Sequence, residues 1–232
     1  MEIINCFSYV HTEKRTKPIE YIVVHYTAGT TSRKGSAKNT AEFFRTTNTQ
    51  VSSDFIVDDF EIVQYNPDIF NVITWHCGGK SYGNKGGKYY GKCTNQNSIG
   101  IEICCNNSTN KMQNANDKSY SFSDVALNNT EQLIKYLMQK YNIPAEKIIR
   151  HYDVNGKPCP GIIGWNLENG NNENAWIAFK NRFLNNQQKQ KAENKTIKYT
   201  IQVGAFSEKE NAENYLKKVQ KSYPNAFIKI KE

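Results

Sequence analysis

Residues 21–26 read Tyr-Ile-Val-Val-His-Tyr, a compact apolar and β-branched run bounded by polar sequence. Such a run is a buried strand, and a histidine, His25, sits near its end. Working outward, Ser36 caps a helix that continues to about Thr47. Phe55, Val57, Ile62 and Val63 flank the acidic turn Asp58-Asp59 and predict a hairpin. From Gly78 to Gln96 the chain is rich in Gly, Lys and Tyr, the composition of a long surface loop. Ser98–Cys105 predicts a second strand. A helix begins at Ser123 or Asn129, with Leu133, Ile134, Leu137, Met138 and Tyr141 on one apolar stripe and Pro144 beyond its end. Ile148–His151 is a short strand, a Gly/Pro-rich turn follows, and Ala175–Leu184 is the last helix of this part.

The chain has 232 residues, against roughly 100–200 for a usual domain, which predicts one full domain plus an appendage. A hydrophobic fraction of 38% supplies a core, and a mean hydropathy of −0.71 fits a soluble chain. No run approaches the roughly 20 apolar residues of a membrane span, so no membrane insertion is expected. The N-terminus lacks the basic start and apolar stretch of a secretory signal. Net charge is +8, and residues 187–232 hold ten Lys and five Glu, a net of +5. A basic tail points to polyanionic partners, which composition alone leaves open among nucleic acid, anionic membrane and cell-wall polymer. Six cysteines with no C-x-x-C pair read as free thiols or metal ligands. Cys104 and Cys105 would point to opposite faces of a strand, which fits burial of one of them better than pairing.

His25 ends the first strand in "VVHYTAG"; His151 ends a later one in "RHYDVNGKPCPG", with Cys159 eight residues on. Taken singly, His25 reads as a core histidine and Cys159 as a small buried hydrophobe. Two imidazoles and one thiolate are also the three protein ligands of a catalytic zinc, with a fourth position open to water. Together with "SIGIEICCN", these segments resemble the three signature segments of the zinc-dependent N-acetylmuramoyl-L-alanine amidases. The resemblance spans about Ile19 to Phe183, with "VSSDFIVDDFEIVQ" and "ITWHCGG" between the signatures. It implies an α/β fold, a mixed central β-sheet flanked by helices with a zinc cleft. The implied reaction is hydrolysis of the amide between the lactyl group of N-acetylmuramic acid and L-alanine.

Carried over residue by residue, His25, His151 and Cys159 match the Zn2+ ligands. Glu102 matches the general base; the alternative is a salt-bridged strand carboxylate. Lys157 matches a cationic residue able to stabilise an oxyanion; the alternative is a solvated loop lysine. Thr27, Ser53, Asp54, Trp75 and His76 are the residues placed along the substrate. Other branches carry a catalytic tyrosine where this chain has Ser53-Asp54, so the burden falls on Glu102. Trp75 and His76 either line the groove or pack into the core.

Residues 186–195 are a polar linker. Beyond it, Thr196–Phe206, Glu208–Tyr223 and Ala226–Ile230 predict a small β-α-β module, and "QVGAF" with Ala212, Tyr215 and Leu216 resembles half of a SPOR repeat, which binds glycan strands. So short a unit needs a partner to bury a core, and a homodimer through this module is the expectation. The domains are thus 1–185, catalytic, and 196–232, wall-binding. The partners are the glycan strand and stem peptide of peptidoglycan, with no specific nucleic acid. Competing readings are a cysteine peptidase using Cys159 and His151, and a non-catalytic recognition protein. Without a signal, the protein would be made in the cytoplasm and reach the wall through a holin pore or by mother-cell lysis.

Overall fold

The computed structural model describes residues 2–79, 87–184, 204–223 and 226–228. Tyr21–Tyr26 forms strand β3 with all six residues buried, because strands flank it on both sides, Ile22 and Val24 enter the main core on one face, and Tyr21 and Val23 pack against Cys77, Cys93 and Val154 on the other. The sheet contains β1 (Ile3–Asn5), β3, β4 (Phe55–Val57), β5 (Ile62–Gln64), β7 (Ser98–Ile103) and β10 (Ile148–Arg150), in the order β1-β5-β4-β7-β3-β10. All neighbours are parallel except the β4–β5 hairpin, which turns at Asp58-Asp59 as its sequence predicts. Two small ribbons, β2 (Thr12–Lys14) with β6 (Val72–Thr74) and β8 (Asn106–Asn107) with β9 (Tyr120–Ser121), lie outside the main sheet and carry no clear signal in the sequence.

Helix α1 (Ser36–Thr46) covers one face, packing Ala37, Ala41 and Phe44 against Ile56, Val63 and Tyr65. Helix α2 (Asp124–Tyr141) and a helix over residues 174–184, α4, cover the other face. There Leu133, Ile134, Leu137, Trp176, Phe179 and Phe183 meet Ile22, Val24, Ile99 and Ile101. Ser123 caps α2, its hydroxyl accepting the Ala126 N–H at 3.0 Å, so the earlier of the two predicted starts is the real one. At α1 the cap is Gly35 in a left-handed conformation (φ 87°), and Ser36 is already helical.

Three further expectations are corrected. Strand β7 stops at Ile103, and Cys104 and Cys105 are both buried, because each face of the sheet carries its own core. His151 does not end a strand; it opens the short helix α3 (His151–Asn155) immediately after β10. In the C-terminal part, helix α5 spans Lys209–Val219, while residues 204–206 and 226–228 carry no regular structure. The rest of the two predicted strands, and the linker at 186–195, lie outside the described residues.

The chain divides into two compact units, residues 1–189 and 190–232. In the second, the Phe206 and Tyr215 rings meet at 5.3 Å, and α5 has no buried residue.

Candidate metal centre

Sheet register brings the candidate ligands together. His25, next to last on β3, pairs with Glu102, next to last on β7, so both side chains leave the same face. On the other side Arg150 pairs with Val24, so the next residue, His151, arrives beside His25. All three therefore sit at the carboxyl ends of parallel strands, where open α/β sheets place their sites. Cys159 is brought in by the turn after α3, its carbonyl accepting the Tyr152 N–H at 2.9 Å. Gly161 permits this turn, since a Cβ there would run into the Tyr26 hydroxyl.

His25, His151 and Cys159 are the group of His, Cys or acidic side chains, among the described residues, that could hold a metal ion, with ligand atoms all within 4.8 Å of one another. The Nδ1 atoms of His25 and His151 are 3.1 Å apart, and Cys159 Sγ is 3.7 Å from His25 Nδ1. Tetrahedral zinc with bonds of about 2.0 Å to nitrogen and 2.3 Å to sulfur sets nitrogens about 3.3 Å apart and nitrogen and sulfur about 3.5 Å apart. The donor set fits that ion in type, and the two separations from His25 fit it in spacing.

Electrostatics agree. Burial, with His151, His76 and Lys157 nearby, holds His25 well below the ordinary histidine range. Burial, then Lys157 and His76, lowers His151 to about 3. Both are neutral ligands at neutral pH. Burial, then Glu102, pushes the Cys159 thiol up to about 12. Burial also raises Glu102 to about 8, against the pull of Lys157 and His76, and its Oε2 is buried without a hydrogen-bond partner among the described residues. A desolvated pocket that keeps a thiol and a carboxyl protonated is short of positive charge, which a bound dication supplies. Lys157 itself is exposed, yet its charge acts on His25, His151, Cys159 and Glu102.

Of the five residues expected along the substrate, Ser53, Asp54 and His76 meet around Gly100 in the protein interior. Ser53 and Asp54 are fully buried. Asp54 accepts the Gly100 N–H at 2.7 Å and Asn66 Nδ2 at 2.6 Å, so it ties β4 to its neighbours and is closed to substrate. His76 is buried behind His25, its Nδ1 3.1 Å from His25 Nε2, and is not a groove residue. Thr27 is half-buried, its hydroxyl accepting the Gly29 N–H at 3.3 Å and shaping the turn after β3. Trp75 is half-buried and retains an accessible surface.

Two features have no motif in the sequence. Gly100 interrupts the branched residues of β7 because a Cβ would stand 2.6 Å from His76 Cγ; a glycine inside a strand is the available signal of such close approach. Arg150, 4% exposed, donates to Asp153 at 2.6 Å, Glu173 at 2.5 Å and the Trp165 carbonyl at 2.6 Å, fixing the helix that begins with His151.

Fold and donor set together describe a mixed α/β scaffold with a His, His and Cys cluster able to hold a metal ion, and comparison with known proteins narrows the class. Residues 15–162 match the family model of N-acetylmuramoyl-L-alanine amidase, and the chain belongs to that family. Residues 195–232 match the SPOR domain model. CwlH of Bacillus subtilis, an N-acetylmuramoyl-L-alanine amidase, is 36% identical over 140 residues, 60% of this chain and 46% of that one. XlyA of the same organism is also 36% identical over 140 residues, covering 60% and 39%. The chain thus aligns with less than half the length of these relatives. The structure of PlyL superposes with a TM-score of 0.56 at 28% identity, covering 79% of this chain and 97% of that one. The catalytic domain of XlyA gives 0.54 at 28% identity, covering 79% and 99%.

Proposed function

We propose that the protein is a zinc-dependent N-acetylmuramoyl-L-alanine amidase that severs stem peptides from the glycan strands of peptidoglycan. The observation that carries this reading is the His25, His151 and Cys159 cluster beside Glu102, whose Oε2 has no hydrogen-bond partner among the described residues, in a chain of amidase ancestry. Zinc held there would lower the pKa of its water to about 7 and polarise the scissile carbonyl. Glu102 takes the proton of the attacking water and delivers it to the departing alanine nitrogen. Burial suits it to this work, since a base is most effective with a pKa near the working pH. Lys157, whose charge reaches His25, His151, Cys159 and Glu102, stabilises the oxyanion of the tetrahedral intermediate. Trp75 offers a flat surface to sugar or peptide.

Cys159 is not a nucleophile in this reading, because a thiol held near 12 is not a thiolate at neutral pH. The C-terminal unit binds wall glycan, and two copies pair in a homodimer. The enzyme acts on the wall after release from the cell that makes it. Among the described residues no helix is long and apolar enough to cross a membrane. The test is wall lysis under chelation: activity should vanish and return with added Zn2+, and full activity of a zinc-free preparation would refute the proposal.

A further inference from the structure

We propose that His76 is the positioning residue that fixes the tautomer of His25, aiming a bare ring nitrogen at the metal centre. This rests on the metal-binding reading above. The relay begins at the Thr94 carbonyl, which can only accept. It lies 2.6 Å from Ser98 Oγ, so Ser98 commits its single hydroxyl proton there. The serine oxygen then has lone pairs for two neighbours, His76 Nε2 at 3.2 Å and the Cys77 thiol at 3.5 Å. A neutral imidazole can pair with that oxygen only by donating, so neutral His76 carries its hydrogen on Nε2 and leaves Nδ1 as an acceptor. His25 Nε2 is 3.1 Å from that acceptor and donates to it. The remaining nitrogen of His25, Nδ1, is left without hydrogen, and it is the atom that faces His151 Nδ1 and Cys159 Sγ. Three hydrogen bonds thus pass the choice from a backbone carbonyl to a ligand lone pair.

The fold is shaped to hold this relay. His76 lies in the slot that Gly100 leaves open, 7% exposed, with its ring at 89° to that of His25. Asn95 Oδ1 accepts the backbone N–H groups of both His76 (3.1 Å) and Cys77 (2.8 Å), fixing the ring's entry point. Partners behind a metal-bound histidine set its tautomer and orientation, and their loss typically costs 10–100-fold in metal affinity.

Two measurements test the proposal. Ring 15N NMR of the metal-free wild-type protein should find His25 protonated on Nε2; protonation on Nδ1 would overturn it. Zinc affinity, read by competition with a chromophoric chelator, should fall about 10–100-fold in His76→Phe. It should recover to within a few-fold in His76→Asn, whose amide oxygen can accept from His25. Equal losses in the two variants, with metal-free melting temperatures alike, would also overturn it. A wild-type protein that binds no zinc would instead contradict the metal reading, and the tautomer would still decide the relay.

Discussion

Glu102 is pulled two ways: burial favours its neutral form, while its proposed work requires a carboxylate. In the metal-free protein its pKa of about 8 lies above the ordinary 4.5. A raised carboxyl pKa means the folded state holds its proton longer, so stability is greatest below about 4.5 and is lost as pH rises through 8. Glu102→Gln should therefore stabilise the metal-free protein above pH 8, measured by urea midpoints, while lowering turnover roughly 10²–10⁴-fold with zinc still bound. Near-native turnover would send the search for the base elsewhere. Asp54 cannot take its place, since both its oxygens are occupied inside the protein. Asp54→Asn should cost about 1–3 kcal/mol of stability through a buried bond left unmade, and leave turnover per folded molecule nearly unchanged. The ligands were legible because His25, His151 and Cys159 fall at distinctive spacings. The burial of Ser53 and Asp54 was not, and the sequence left His76 open between groove and core, because burial depends on which strands flank these residues in space.

At the scale of elements, the short helix after β10 carries one ligand and is held by a single buried guanidinium. Arg150→Met removes the partner of Asp153 and Glu173, both partly exposed, so the cost should fall at the low end of the roughly 3–5 kcal/mol for breaking a buried pair. Zinc affinity should fall with it; unchanged stability would show that helix α3 is held by other contacts. The histidines give this region an acid limb. Their folded pKa values lie below the ordinary 6.5, His151 near 3, so their contribution is full above 6.5 and drains as pH falls towards 3. His151→Asn should flatten the upper part of that loss in the metal-free protein; an unchanged profile would assign it to carboxylates. Strand β3, the hairpin and α2 were readable because each carries its period or its cap locally. The two small ribbons and the start of α3 at His151 were not, because elements of two to five residues are too short to show a period and these carry no acidic turn like that of the hairpin.

Across the whole molecule, the charge is concentrated from residue 187 onward, in the part that matches the SPOR domain model. Truncation after Asn186 should leave cleavage of a small soluble muropeptide nearly unchanged, slow the lysis of intact walls, and yield a monomer. Wall binding by the full chain should weaken with salt, as the Debye length shrinks from about 10 Å at 0.1 M to about 3 Å at 1 M. Equal wall binding by the truncated and full chains at low salt would give the tail another role. The central claim, amide hydrolysis at the junction of sugar and peptide by a zinc-loaded protein, is tested most directly by mass spectrometry of a purified muropeptide after digestion. The account predicts a free lactyl carboxylate on the sugar and a free L-alanine amine on the peptide, formed with zinc, absent under chelation and restored by added zinc. Cleavage within the stem peptide, or the same products from zinc-free protein, would contradict it.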